Sequence, residues 1–302
     1  MKYIYIPFLA ILCLFTITNV TAQQDPQYTQ YMYNMNVVNP AYAGSKESLS
    51  VGALYRGQWS GIEGAPQTFT FNAHTPLGDG FGVGLSAISD QIGPVDETNL
   101  YADISYTIDV GQNSKLAFGI KTGATLQNSN FTDLYLQDEM DPAFQEDLSE
   151  IYPNLGAGVL YYTDKFYLGL SVPNFLSSTH LEVDGREFGS EKQHYFVTAG
   201  YVFDINDHIK FKPSTLVKSE LGSAVSFDVN ANFLFHDKLE VGVSYRYEDA
   251  ISALASIRFT DLVRVGFAID TTKSNLNNPS YEAFIIFDIF FKKKTYVSPR
   301  YF

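Results

Sequence analysis

From Leu49 onward, apolar and polar residues alternate along the chain with a period of two. In "LVRVGFAID", Val263, Val265, Phe267 and Ile269 fall on one face and Arg264, Gly266, Ala268 and Asp270 on the other. "SFDVNANFLF" sets Phe227, Val229, Ala231, Phe233 and Phe235 against Asp228, Asn230 and Asn232. "NLYADISYTID" sets Leu100, Ala102, Ile104, Tyr106 and Ile108 against Asp103, Ser105 and Asp109. In "KLAFGIKTGATL", Leu116, Phe118 and Ile120 oppose Gly119, Lys121 and Gly123. Successive side chains on a strand point to opposite sides, so this spacing predicts strands rather than helices.

About fourteen such runs succeed one another, near 48–59, 66–76, 80–89, 97–109, 114–126, 152–163, 165–172, 194–205, 208–218, 222–235, 238–248, 250–260, 262–271 and 281–291. A typical run of roughly ten residues suits a tilted strand crossing a bilayer, and an even count suits a closed barrel. The connections alternate too. "LGDG", "GQNS", "TDK", "NDH", "HDK" and "TDL" are short, whereas 90–96, 127–151, 173–193 and 272–280 are long, with 61–65 the least of that set. Short turns at one end and long loops at the other are the asymmetry of a bacterial outer-membrane barrel. The fold predicted is therefore all-β, a transmembrane antiparallel β-barrel of about 14 strands. A secreted sandwich also needs alternating strands, but it varies its loops at both ends and rarely runs so many strands as one domain. Small inward residues such as Gly82, Gly84 and Ser86 suit a tightly filled lumen as well as a strongly bent strand.

The N-terminus has a different texture. Lys2, an apolar core over 4–17 and the small residues of "VTA" read as a secretory signal peptide cut after Ala22. Residues 1–22 are thus expected to be removed, 23–47 to form a plug-like periplasmic segment, and 48–302 to form the barrel. The single cysteine, Cys13, leaves with the signal, which excludes disulfides, cysteine-zinc sites and thiol nucleophiles from the mature chain. A formal charge of -13 argues against nucleic acid as a partner.

The stretch 28–44, "YTQYMYNMNVVNPAYAG", is rich in tyrosine and asparagine and carries no charge. Asp25 and Pro26 make a good helix start, and Tyr28, Tyr31, Met32 and Met35 fall at helical spacing until Asn39-Pro40 breaks the pattern. So short a helix needs a surface to pack on. The expectation is a short helical segment packed in or against the periplasmic mouth, with Tyr28, Tyr31, Met32, Tyr33, Asn34, Asn39, Pro40 and Tyr42 as its packing residues. Uncharged amide and phenol groups can satisfy lumenal hydrogen bonds without burying charge.

Inward charges at Arg56, Lys121, Asp228, Arg246, Arg258, Arg264 and Asp288 fit either a paired lumenal network or the lining of a water-filled channel. Two loops mix acids with large apolar residues, a composition suited to protein docking. In 127–150 the candidates are Phe131, Leu134, Tyr135 and Phe144, and in 173–193 they are Phe175 and Phe188. No catalytic, cofactor-binding or metal-ligating set is assigned. His74, His180, His194, His208 and His236 are scattered, "GLSVP" lacks the second glycine of a nucleophile elbow, and "GFGVG" lies on an alternating strand with no helix after it. The last run is followed by "KKK" at Lys292–Lys294 and an aromatic terminus at Phe302, a familiar outer-membrane insertion signal.

"QDPQYTQYMYNMNVVNPAYAG", then "ALYRGQWSGIEGAPQTFTFNAHTPL" and the terminal "SPRYF" resemble the PorP/SprF family of type IX secretion system membrane proteins. The specific positions are Tyr33, Asn34, Asn39, Pro40, Ala41, Tyr42, Ala43 and Gly44, then Arg56, Gln58, Trp59, Pro66, Gln67 and Thr68. The resemblance implies a non-enzymatic outer-membrane barrel without cofactors, both termini periplasmic. The partners it implies are a large secreted adhesin or its C-terminal domain, translocon components, a periplasmic peptidoglycan-linked protein and outer-membrane lipid. Residue patterns alone leave three functions open: a secretion or anchoring component, a diffusion porin or solute transporter, and a structural barrel linking membrane to periplasmic machinery.

Overall fold

The computed structural model describes residues 28–133, 146–176, 178–183, 186–191, 193–220, 225–272 and 278–291, with backbone alone at 133, 178–183, 186–191 and 272. The strands of its first half are β1 (Ser48–Gly57), β2 (Gln67–Gly78), β3 (Phe81–Ile92), β4 (Val95–Asp109), β5 (Ser114–Ser129), β6 (Leu148–Thr163) and β7 (Phe166–Val172). A hairpin of β8 (Ser178–Val183) and β9 (Arg186–Glu191) comes next, paired only with itself. The second half holds β10 (His194–Tyr201), β11 (Phe203–Asn206), β12 (Ile209–Glu220), β13 (Ser226–Phe235), β14 (Leu239–Arg246), β15 (Ala250–Arg258), β16 (Val263–Thr272) and β17 (Ser280–Phe290).

All pairings are antiparallel and most join chain neighbours; β7 pairs with β10 past the hairpin, β1 pairs with β17, and β10 pairs with β12, with Thr198 opposite Leu216. The sheet contains fifteen segments, but β10 and β11 are one stave interrupted at Val202, so fourteen staves close into a barrel. The predicted alternation holds along most of the staves, and fails in β11 and at the loop-side start of β4. Leu85, Ile120 and Val243 stand outward at 61%, 59% and 57% exposure, whereas Asp103, Lys121, Asn232 and Glu282 turn inward and are buried. An apolar exterior around a polar interior is the reverse of a soluble sandwich and is what a bilayer selects. Among the described residues no helix is long and apolar enough to cross a membrane. A charge on the outer face should cost accordingly. Ile120→Lys is expected to destabilise the barrel by about 2–4 kcal/mol, read from urea titrations in lipid vesicles; a change within ~0.5 kcal/mol would show that this face does not meet lipid.

The short turns have local causes. At the end of β2, Asp79 and Gly80 both take positive φ, 52° and 82°, the two-residue type I′ geometry that matches strand twist. A Cβ at Gly80 would approach the Thr107 carbonyl at 2.6 Å. The opposite end departs from the sequence expectation in two places. The connection expected to be long at 90–96 is the two-residue turn Gly93-Pro94, because β3 and β4 keep pairing up to Ile92 opposite Val95. The loop expected at 127–151 is likewise shortened, since Gln127 and Glu150 are still ladder partners.

Candidate functional site

The segment before β1 fills the lumen. Tyr28, Thr29 and Gln30 enter it without helical structure. The chain then forms a 3-10 turn at Tyr31–Tyr33, a single α-helical turn, α1, at Met35–Val38, and a second 3-10 turn at Pro40–Tyr42. Asn34, at φ -125°, interrupts the helical run expected from Tyr28 to Met35, and Asn39, extended at φ -139°, ends α1 as the Asn39-Pro40 pair predicts. The Asn39 side chain accepts from the Ala41 amide at 2.9 Å and so starts the last turn. The Asp25-Pro26 start lies outside the described residues.

The plug runs lengthwise through the barrel. At the long-loop end, Glu282 accepts the amides of Thr29 and Gln30 at 3.0 and 2.8 Å, and the Thr29 hydroxyl donates to Asp270 at 2.8 Å. Midway, Asn72 donates to Asn34 at 2.8 Å, Asn36 donates to Asp103 at 3.0 Å, and Asn230 donates to the Tyr31 phenol at 3.1 Å. Farther round the wall, Asn39 donates to the Val159 carbonyl at 3.1 Å and Ser171 donates to the Val38 carbonyl at 2.8 Å. At the short-turn end, Ser105 donates to the Ala43 carbonyl at 2.6 Å, and Lys46 pairs with Asp288 at 3.2 Å. The plug is thus held along the depth of the lumen rather than resting at one mouth.

Small residues in the wall make room for it. A Cβ at Gly119 would lie 2.2 Å from the Ala41 amide nitrogen, and one at Gly158 would lie 2.1 Å from the Asn39 side-chain oxygen. Those distances leave no space for any side chain. Tyr28, Tyr31, Met32, Met35 and Ala41 form one apolar cluster with Leu54, Leu160, Tyr162, Tyr167, Phe284 and Ile286. Tyr33 donates to Glu240, stacks on Phe284 at 4.3 Å, and lies 5.5 Å beneath the Arg264 guanidinium. Pro40 and Asn34 are buried, while Tyr42 is half-buried with its ring edge-on to His74 at 5.6 Å.

Inward charges pair along the inner wall, between neighbouring or next-but-one staves. Arg56 lies 2.6 Å from Asp270 and 3.3 Å from Glu282, Lys121 lies 2.9 Å from Asp103, and Arg246 lies 2.9 Å from Asp228. Arg264 lies 3.6 Å from Glu240, and Arg258 is partly buried on β15 directly across from Arg264. Sequence reasoning named the cations on the strands with Asp228 and Asp288, and missed Glu240, Glu282, Asp103, Asp270 and Lys46 as partners. The first two share strand parity with Arg246 and Asp288 on their own strands, so parity could have found them. Lys46 precedes β1, where no parity applies; burial lowers its pKa and Asp288 opposes that shift.

Above the plug, at the long-loop end, a cavity of about 100 Å³ is lined by Tyr28, Val37, Val38, Tyr101, Asn154, Phe196, Leu216, Lys218 and Arg246 among others. Of the loop candidates, Phe131 is turned in at 9% exposure, whereas Phe175 stands at 42%. Leu134, Tyr135 and Phe144 lie outside the described residues, and so does the side chain of Phe188. Among the described residues no group of three His, Cys, Asp or Glu side chains is placed to hold a metal.

A closed antiparallel barrel, apolar outside and plugged by its own N-terminal segment, defines an outer-membrane β-barrel protein. The model of the type IX secretion system membrane protein PorP/SprF matches residues 20–288, and the chain belongs to that family. Membership implies association with the type IX secretion system. Comparison with curated proteins gives no match. Among solved structures, the CymD monoaromatic hydrocarbon channel is similar with TM-score 0.52 at 11% identity, over 91% of this chain and 95% of that one. Acinetobacter baumannii Omp33 is similar with TM-score 0.49 at 9% identity, over 82% of this chain and 100% of that one. At such identities the CymD likeness speaks for the fold alone.

Proposed function

We propose that this barrel is an accessory outer-membrane component of the type IX secretion system that anchors adhesin-type secreted substrates at the cell surface through their C-terminal domains. The observation that carries this reading is the plug. A lumen crossed by a segment hydrogen-bonded to most of the wall favours a docking platform over a diffusion path. The long loops then face outward and the short turns face the periplasm, where translocon components and a peptidoglycan-linked protein can be met. No reaction is assigned, and the barrel acts by binding.

Affinity purification from native membranes tests the proposal. The expected result is co-purification of a large secreted polypeptide through its C-terminal domain. Recovery of periplasmic partners alone would replace anchoring with a structural link between membrane and cell wall. A steady conductance from the intact protein would favour the solute-transporter reading, which the cavity above the plug supports.

A further inference from the structure

β6 pairs with β5 along its whole length, from Leu148 opposite Ser129 to Thr163 opposite Ser114. Its other edge pairs with β7 only from Ala157 to Tyr162. Leu148–Gly156 therefore overhangs β7 at the long-loop end, with Pro173–Phe175 beside its last residues and, among the described residues, no strand paired to Leu148–Pro153 on that side. In a strand, the amide and carbonyl of one residue point to the same lateral side, and that side alternates along the chain. The Leu155 carbonyl accepts the Phe175 amide at 2.6 Å, so Leu155 faces away from β5, and Ser149, Ile151 and Pro153 do the same. Among the described residues, none bonds to the backbone of Ser149, Ile151 or Pro153 from that side. Pro153 sits opposite Ala124 at this parity, where a missing amide costs the β5 ladder nothing. The open edge thus offers the amides and carbonyls of Ser149 and Ile151 and the carbonyl of Pro153.

The side chains around this edge describe its occupant. Ile151 is 69% exposed on the outer face, while Glu146, Asp147 and Glu150 are exposed acids along the same stretch. A second copy of this chain would set acid against acid. We propose that the open edge of β6 receives an extended strand, alternating basic and apolar residues, from a secreted polypeptide by β-augmentation. The inference rests on the anchoring role proposed above and adds the contact that performs it.

Proline substitution separates the backbone from the side chain here. Ser149→Pro with Ile151→Pro removes both open amides yet spares the β5 ladder, as Pro153 already does. Ile151→Ala keeps the backbone, and Glu150→Lys reverses the charge without any proline. Each variant, in cells lacking the native barrel, is scored by mass spectrometry of the type IX-secreted polypeptides on shaved cells and in the medium. Folding is scored by heat-dependent gel migration. The double proline variant is expected to release about tenfold more substrate, Glu150→Lys to release substrate as well, and Ile151→Ala to retain it. Wild-type retention by both Glu150→Lys and a folded proline variant would overturn the inference while leaving anchoring intact. A proline-dependent loss of dimer on native gels with unchanged retention would also overturn it, making the edge a self-interface. Full retention by cells without any barrel would overturn the anchoring role itself, and the inference with it.

Discussion

Arg56→Ala should lower the stability of the barrel by about 3–5 kcal/mol, the cost of stranding a buried charge by deleting its partner. Arg56 lies 2.6 Å from Asp270 and 3.3 Å from both Glu282 and the Thr29 hydroxyl. Glu282 also accepts the Thr29 and Gln30 amides, so one guanidinium joins β1, β16, β17 and the start of the plug. Without it, two adjacent carboxylates face each other in a water-poor space. Arg56→Lys should recover only part of the loss, because the three contacts all run to Nη1 and an ammonium, more strongly hydrated than a guanidinium, costs more to bury there. Replacing the whole triad with uncharged residues (Arg56→Met, Asp270→Asn, Glu282→Gln) should be milder than Arg56→Ala alone. Urea midpoints of the heat-modifiable gel band measure all three. An Arg56→Ala midpoint equal to wild type would mean that water or ions reach the triad and that the plug is not sealed at this end.

The wall of this barrel was readable because its signal repeats. Each strand reports the same parity many times over, so Val263 to Asp270 and Phe227 to Phe235 could be assigned to faces without any contact information. Parity also located the lumenal cations, and it would have located Glu240 and Glu282 had the acids been followed as closely. Strand ends were less legible at the loop side. Gln127, Asn128, Ser149 and Glu150 have loop-like composition, yet they continue the β5–β6 ladder because that part of the sheet stands clear of lipid and can be polar on both faces. The form of the plug was not legible from helical spacing. Tyr28, Tyr31, Met32 and Met35 match a helix, but a helix satisfies its backbone internally, whereas Thr29 and Gln30 give their amides to Glu282 and Val38 gives its carbonyl to Ser171. Partners on the surrounding wall decide this segment's shape, and nothing within the segment names them.

Removing the plug should open the barrel. In planar bilayers the intact protein is expected to show no steady current, because the plug and the paired charges fill the lumen from the Arg56 level to the Lys46 level. Deletion of residues 28–44 should give a steady ohmic current and lower stability together, since the wall loses its apolar cluster and Glu282, Asp103 and Asp270 lose plug partners. Gly158→Leu tests the same idea in a full-length chain. Its side chain would occupy the place of the Asn39 side-chain oxygen, 2.1 Å from a Cβ at this position, and so drive the Asn39-Pro40 turn off the wall. Gly78→Ala is the control, at a turn glycine where a Cβ would meet nothing within 4 Å, so any strain stays local to its backbone. Conductance should rise in the deletion and in Gly158→Leu but not in Gly78→Ala. If the intact protein already conducts as well as the deletion variant, the plug does not seal the lumen, and a transport pathway takes precedence over a docking platform.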